Sequence, residues 1–392
     1  MYKKWEVDTM ENIFYVNDFA GNTDDEKIDA CLAAAKTVEK RTIVFDKKDY
    51  HISKAIEIPS NTEVIVDNCM IKHLDEVFDH IFRGDNLTID PNDPYGYPTE
   101  IRELKNIKIT GKGTAVLEGP DKHKIGRHPF WAGKESKWSF RQEYQEMIGD
   151  YWGYKSHHID LACCDGFEIS GLTIKKTRGW AINCDMSCNG YIHDLYFDVD
   201  TKNGDGIDFR SGCHDCVVER IKGLTTDDSV AINATSRPGD KATYPVDQYL
   251  YPNDCAESLK MTKEQRDIYN IKIRDIETCG RHHGVIVLAS QGCQVHDIEI
   301  DGFTETYRTP EEMEGRLWGL WRESTIKIYE GYGTGYNPGD IYNITVKNVK
   351  AKYADAAVYC NCQVKNVVLE NITHEGDGEV CKLDYPDGIT IK

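Results

Sequence analysis

From Ile169 onward the apolar positions repeat one figure: an apolar residue, two polar or small residues, then a second apolar residue. It reads Ile169-Ser-Gly-Leu172, Ile192-His-Asp-Leu195, Val218-Glu-Arg-Ile221, Ile273-Arg-Asp-Ile276, Val295-His-Asp-Ile298, Val346-Lys-Asn-Val349 and Leu369-Glu-Asn-Ile372. The first residues are 23, 26, 55, 22, 51 and 23 apart, which fits a unit of 22 to 26 residues with insertions or an additional unit in the long gaps. A second, β-branched-rich run starts 11 to 14 residues after the start of most figures: "WAIN" (180–183), "GIDF" (206–209), "SVAI" (229–232), "GVIV" (284–287) and "AVYC" (357–360), with "TIKI" (325–328) in the remaining gap. Short apolar runs bounded by Gly, Asn and Asp are strand signals. Strands at a fixed period, joined by polar turns, predict an all-β chain: a right-handed parallel β-helix. The intervals are too short and too polar for the crossover helices of a doubly wound sheet.

The N-terminal pattern differs. In "TDDEKIDACLAAAK", Thr23 and Glu26 stand at capping-box spacing, and Ile28, Cys31, Leu32 and Ala35 fall on one helical face. This predicts a helix within residues 1–40 that caps the open hydrophobic end of the solenoid. The coils begin in 41–72, and one domain spans 1–392. Three stretches break the rhythm: 120–157, 237–268 and 303–322. Long solenoid loops gather on one face and wall a groove. The first stretch carries Trp131, Trp138 and Trp152 among Lys and Arg, suited equally to stacking on sugar rings and to packing among themselves.

Composition narrows the function. Lys plus Arg number 47 and Asp plus Glu 66, a net charge of −19. A binder of phosphate backbones needs a basic surface, so nucleic acid is not the expected partner. No 18-residue apolar run suggests a membrane span, and no secretory leader is visible, which favours the cytoplasm unless a leader has been trimmed. Oligomeric state stays open. The 14 cysteines read as reduced, buried small side chains. Cys213-His-Asp-Cys216 resembles half a zinc site, but no second pair follows at zinc spacing.

The repeat converts spacing into geometry. Asp205 precedes "GIDF", Asp228 precedes "SVAI" and His283 precedes "GVIV". Equivalent positions of successive coils stack about 4.8 Å apart, so these three form a row, with Asp227 beside it and Lys327 just beyond the histidine. Stacked carboxylates repel, which raises at least one pKa and keeps an acid protonated near neutrality. Paired carboxylates acting without a metal suit glycoside hydrolysis, in which one protonates the leaving oxygen and another activates water or attacks.

At these residues the chain resembles glycoside hydrolase family 28, the polygalacturonases and their relatives. The family pattern N-T-D-G-x-D, D-D, G-H-G, R-I-K is matched by Asn203-Gly204-Asp205-Gly206-Ile207-Asp208, Asp227-Asp228, His282-His283-Gly284 and Thr325-Ile326-Lys327. "VNDFAGNTDDEKIDACLAAA" and "NIKITGKGTAVLEG" (106–119) also resemble family segments. The resemblance implies an inverting, cofactor-free and metal-free hydrolase of α-linked galacturonides. Asp227 is then the general acid, while Asp205 and Asp228 hold and activate water. His283, Lys327, Asn203 and, one coil on, Tyr359 would contact the oligosaccharide. Insertions around a groove block its ends, which favours exo action on short chains. The departures are Gly204, His282 and Thr325, the last replacing an arginine that binds carboxylate; Arg281 and Arg322 are the neighbouring arginines that could substitute, and the sequence does not choose a replacement. Rival readings are the same machinery on a neutral or rhamnose-containing glycan, a polysaccharide lyase, and a non-catalytic glycan-binding β-helix.

Overall fold

The computed structural model describes residues 12–90, 96, 98–123, 154–201, 203–234, 261–262, 264–309, 311–314, 322–331 and 335–392. Most of the three expected insertions, with Trp131, Trp138 and Trp152, lies outside the described residues.

Two parallel sheets run the length of the chain, one of sixteen strands and one of ten. Coils along the middle of the chain contribute a strand to both, and each such strand pairs with its equivalent on the next coil. The chain is thus a parallel β-helix. Its interior is a continuous apolar stack. Ile273, Ile300 and Val346 are in register along the larger sheet, and Ile207, Val230, Val285 and Ile326 along the smaller; all are fully buried.

The recurrent figure in the sequence has a backbone cause. Its third residue adopts a left-handed conformation on every coil of the ladder Gly171, Asp194, Arg220, Asp275, Gly302, Asn348 and Asn371. The strand bends there while apolar residues on both sides point inward. Asn, Asp and Gly tolerate this region at low cost. The side chains also pair: Asn371 Nδ2 donates to Asn348 Oδ1 at 2.7 Å, and Asn348 Nδ2 to Asp301 Oδ1 at 2.6 Å. Val295-His-Asp-Ile298 belongs elsewhere. It pairs with Ile268 and Ile271 on a second left-handed ladder that includes Asn270, Asp297, Asn343 and Asn366. The equivalent figure on that coil is Ile300-Asp-Gly-Phe303, five residues on, where Ile300 pairs with Ile273 and Phe303 with Ile276.

The helix forms at Asp24–Ala35. Thr23 Oγ1 accepts from the Glu26 amide at 3.2 Å, and Glu26 Oε2 reaches back to the Asn22 amide at 2.6 Å. Ile28, Cys31, Leu32 and Ala35 are buried in the cluster that includes the first coils. Cys213 Sγ donates to Cys184 O and Cys216 Sγ to His214 O, so both thiols of the expected half-site turn to backbone.

Candidate active site

The smaller sheet builds the site through side-chain alternation. Ile207, Val230, Val285 and Ile326 point into the coil, so the residues beside them point out. Register then defines one column at the strand entries, which alternation alone does not turn outward, and two outward columns along the strands. Asp205, Asp228 and His283 lie two residues before the paired Ile207, Val230 and Val285, with Ser324 next in line. The second column runs Asp160, Asn183, Asp208, Ala231, Ile286, Lys327, Tyr359 and Lys382. The third includes Arg210, Asn233, Leu288, Tyr329 and Asn361.

A cavity of about 360 Å³ opens over these columns. All seven residues expected from sequence line it: Asn203, Asp205, Asp227, Asp228, His283, Lys327 and Tyr359. The three aspartates each bring a carboxylate oxygen within 4.8 Å of the others. Asp205 and Asp228 are buried, while the Asp227 side chain is one-quarter exposed.

Burial dominates the electrostatics. It raises the Asp205 carboxyl well above its usual value, with Asp208, Asp227 and Asp228 adding to the shift. Burial likewise raises Asp208, against the partial relief that Arg210 gives. Asp228 is raised by burial to about 6, and His282 limits the rise. Burial disfavours charged His282, but Asp227 and Asp228 outweigh it and lift its pKa to about 11. His282 Nδ1 lies 2.9 Å from Asp227 Oδ1 and 3.1 Å from Asp228 Oδ1. The family pattern has glycine here; this chain has a cation that bridges the acid pair. Period and spacing gave no signal for that role.

Another pair lies beside His283, on the neighbouring strand. Glu323 Oε1 accepts from Lys327 Nζ at 3.2 Å, and Glu323 Oε2 lies 3.6 Å from His283 Nε2. Lys327 Nζ also sits 3.4 Å above the Tyr359 ring. Burial depresses the Lys327 pKa despite Glu323, and it holds His283 well below the usual histidine value. Thr325 is fully buried and does not line the cavity. Neither neighbouring arginine that could substitute lines it. Arg322 is buried between Glu305, Thr278 and the Phe303 ring, and Arg281 is also absent from the lining. Arg210 does line the cavity, beside Trp180. Its signal was readable: it stands two residues after Asp208, on the same face of the strand.

Among the described residues, three groups have donor atoms close enough for a cation: Asp205, Asp227 and Asp228; Asp228, His282 and His283; and His80, His157 and Asp160. In the first two, charged His282 already supplies a positive charge to the carboxylates. The third is fully buried, beneath Trp180, where His157 stacks on Trp180 at 5.4 Å and on His80 at 6.0 Å.

Fold and site together define a parallel β-helix with an acid-lined cavity on one of its sheets. No family model and no curated protein sequence matches the chain. Among solved structures it is similar to a hyperthermoactive exopolygalacturonase from Thermotoga maritima, with 14% identity and a TM-score of 0.56 over 96% of this chain and 93% of that one. It is similar to the endo-xylogalacturonan hydrolase of Aspergillus tubingensis, with 13% identity and a TM-score of 0.58 over 97% and 91%. The tailspike protein of Escherichia coli bacteriophage HK620, solved with a pentasaccharide, gives 10% identity and a TM-score of 0.56 over 97% and 67%. At these identities the likeness is one of fold.

Proposed function

We propose that the protein is a glycoside hydrolase that cleaves α-linked galacturonide oligosaccharides by acid/base hydrolysis without a metal. The observation that carries this reading is the convergence of Asp205, Asp227 and Asp228 within 4.8 Å in one cavity. Asp227, the most exposed of the three, faces an incoming glycosidic oxygen and donates the proton. His282 is its proton-bearing neighbour. Asp228, ionised above about 6, takes the proton of the attacking water. Asp205, whose carboxyl burial raises well above its usual value, orients that water.

Inverting enzymes usually hold flanking carboxyls about 6.5 to 9.5 Å apart. The oxygens here are closer, so inversion rests on the family resemblance, and exo action on the three insertions. A second reading, a neutral glycan as substrate, is favoured by the pairing of Lys327 with Glu323, which occupies the cation expected to meet a uronate.

Product analysis with trigalacturonate tests the proposal, using the parent and Asp227→Asn with and without chelator. Galacturonate released by the parent alone, unaffected by chelator, supports it. Appearance of the β-anomer first, read by proton NMR, supports inversion. An unsaturated, ultraviolet-absorbing product would mean a lyase. No release rejects the uronide.

A further inference from the structure

We infer that Arg210 is the carboxylate-binding residue of the substrate site, in place of the arginine replaced by Thr325. The inference rests on the proposed uronide-hydrolase reading and names the group that would recognise the acid sugar.

Arg210 is 3% exposed and lines the cavity. Its Nε and Nη2 are buried without a hydrogen-bond partner, and it forms no ion pair among the described residues. Its aromatic contact is the Trp180 ring, 5.2 Å from the guanidinium carbon. A buried guanidinium with unmet donors is costly unless something completes it. Lys327, the cation that the motif pointed to, is already engaged by Glu323 and Tyr359. Arg210 is therefore the cation in the lining left open for an anion. Its planar fork matches a carboxylate, which can accept two parallel hydrogen bonds. Trp180 beneath it restrains the guanidinium plane.

Position supports the assignment. Asp205 and Arg210 lie on one coil, before and after the strand Ile207–Phe209. A sugar between them can present its glycosidic oxygen to the acids and its carboxylate to Arg210. Asp208, on the same face two residues earlier, has its carboxyl raised well above the usual value by burial, against partial relief from Arg210, which weakens it as a rival to the substrate's carboxylate.

The test is calorimetric binding of galacturonate and of its methyl ester, which removes the charge at one position. Parent, Arg210→Gln, Arg210→Lys and Lys327→Met are compared. A charge-assisted hydrogen-bonding group corresponds to roughly tenfold to a hundredfold in affinity, so the parent should prefer the acid by that factor. Arg210→Gln should lose the preference, Arg210→Lys should keep part of it, and Lys327→Met should keep it all. Equal binding of acid and ester by the parent, a preference surviving in Arg210→Gln, or its loss in Lys327→Met would overturn the inference. Thermal melting without sugar separates a structural role: Arg210→Gln should melt no lower than the parent, and a fall of several degrees would also overturn it. Asp227→Asn should bind galacturonate with the parent's preference while failing to hydrolyse trigalacturonate. Failure of the acid assignment and failure of the Arg210 subsite thus appear in different measurements.

Discussion

Replacing His282 with glutamine removes the cation that bridges Asp227 and Asp228 while keeping an amide donor. In the parent, Asp228 has a pKa of about 6, so roughly nine-tenths of it is ionised at pH 7. An opposite charge within hydrogen-bonding range lowers a carboxyl pKa by about 1–3 units. The His282 side chain is 45% exposed, so solvent screening places its share in the lower part of that range, about 1–2 units. Without it Asp228 moves to about 7–8, and its ionised fraction at pH 7 falls to between about a half and a tenth. The kcat/KM of His282→Gln should therefore drop roughly twofold to tenfold at pH 7 and recover toward pH 9, because the acid limb of the profile reports the base of the free enzyme. The assay is kcat/KM from pH 5 to 10 on the oligosaccharide that the parent turns over. An acid limb that stays near the parental pH refutes the argument, and an equal loss at every pH would place His282 in substrate binding instead.

Two further predictions concern stability. Burial raises Asp228 from 3.8 to about 6, so its contribution is fully present below the unfolded value and lost as pH rises through about 6. The loss is of order 3 kcal/mol. Asp228→Asn should therefore be inactive yet gain stability over the parent at pH 8 relative to pH 4, measured by urea unfolding; an unchanged pH dependence counts against it. On the left-handed ladder, Asn348 sits at φ 55° between Gly302 and Asn371 and bonds to Asp301 and Asn371. Asn348→Gly should cost about 1 kcal/mol for the lost hydrogen bonds, and Asn348→Val about 1–2 kcal/mol more for the strained backbone; equal midpoints for the two variants would contradict this.

The solenoid was legible because its coils are nearly isometric. A run such as "GVIV" falls in register with "SVAI" and "TIKI", so a residue count becomes a position in space. That arithmetic brought Asp205, Asp228, His283 and Lys327 to one cavity. It failed at Val295, where two left-handed ladders share the same local figure and only pairing tells them apart. It could not find the His282 bridge or the Glu323–Lys327 pair, because these depend on side-chain reach rather than register. Arg210 lies between the two cases. Period-two alternation places it on the outer face, but its lack of a partner is a property of packing.

The three columns also supply what the proposed function needs, a seat for a sugar in one cavity. Ala231, Ile286, Leu288 and the partly buried Tyr329 form a small apolar cluster on the outer face, separate from the coil interior. Ile286 and Tyr329 line the cavity floor. On one side stand the acids and His283. On the other, Asn233 and Asn361 bring amide oxygens that lack partners. A pyranose has an apolar C–H face and a hydroxyl rim, so it matches a floor and walls of this kind. Laid on Ile286 and Tyr329, its rim meets the amides along one edge and the acids along the other. The apolar floor also excludes water beneath the ring, which strengthens every charge interaction at the acid edge. Burying those acids costs stability, and the solenoid can bear that cost because its interior apolar stack is independent of the outward columns. Substitutions on the floor, such as Ile286→Ser, then act on sugar binding without touching the packing inside the coil.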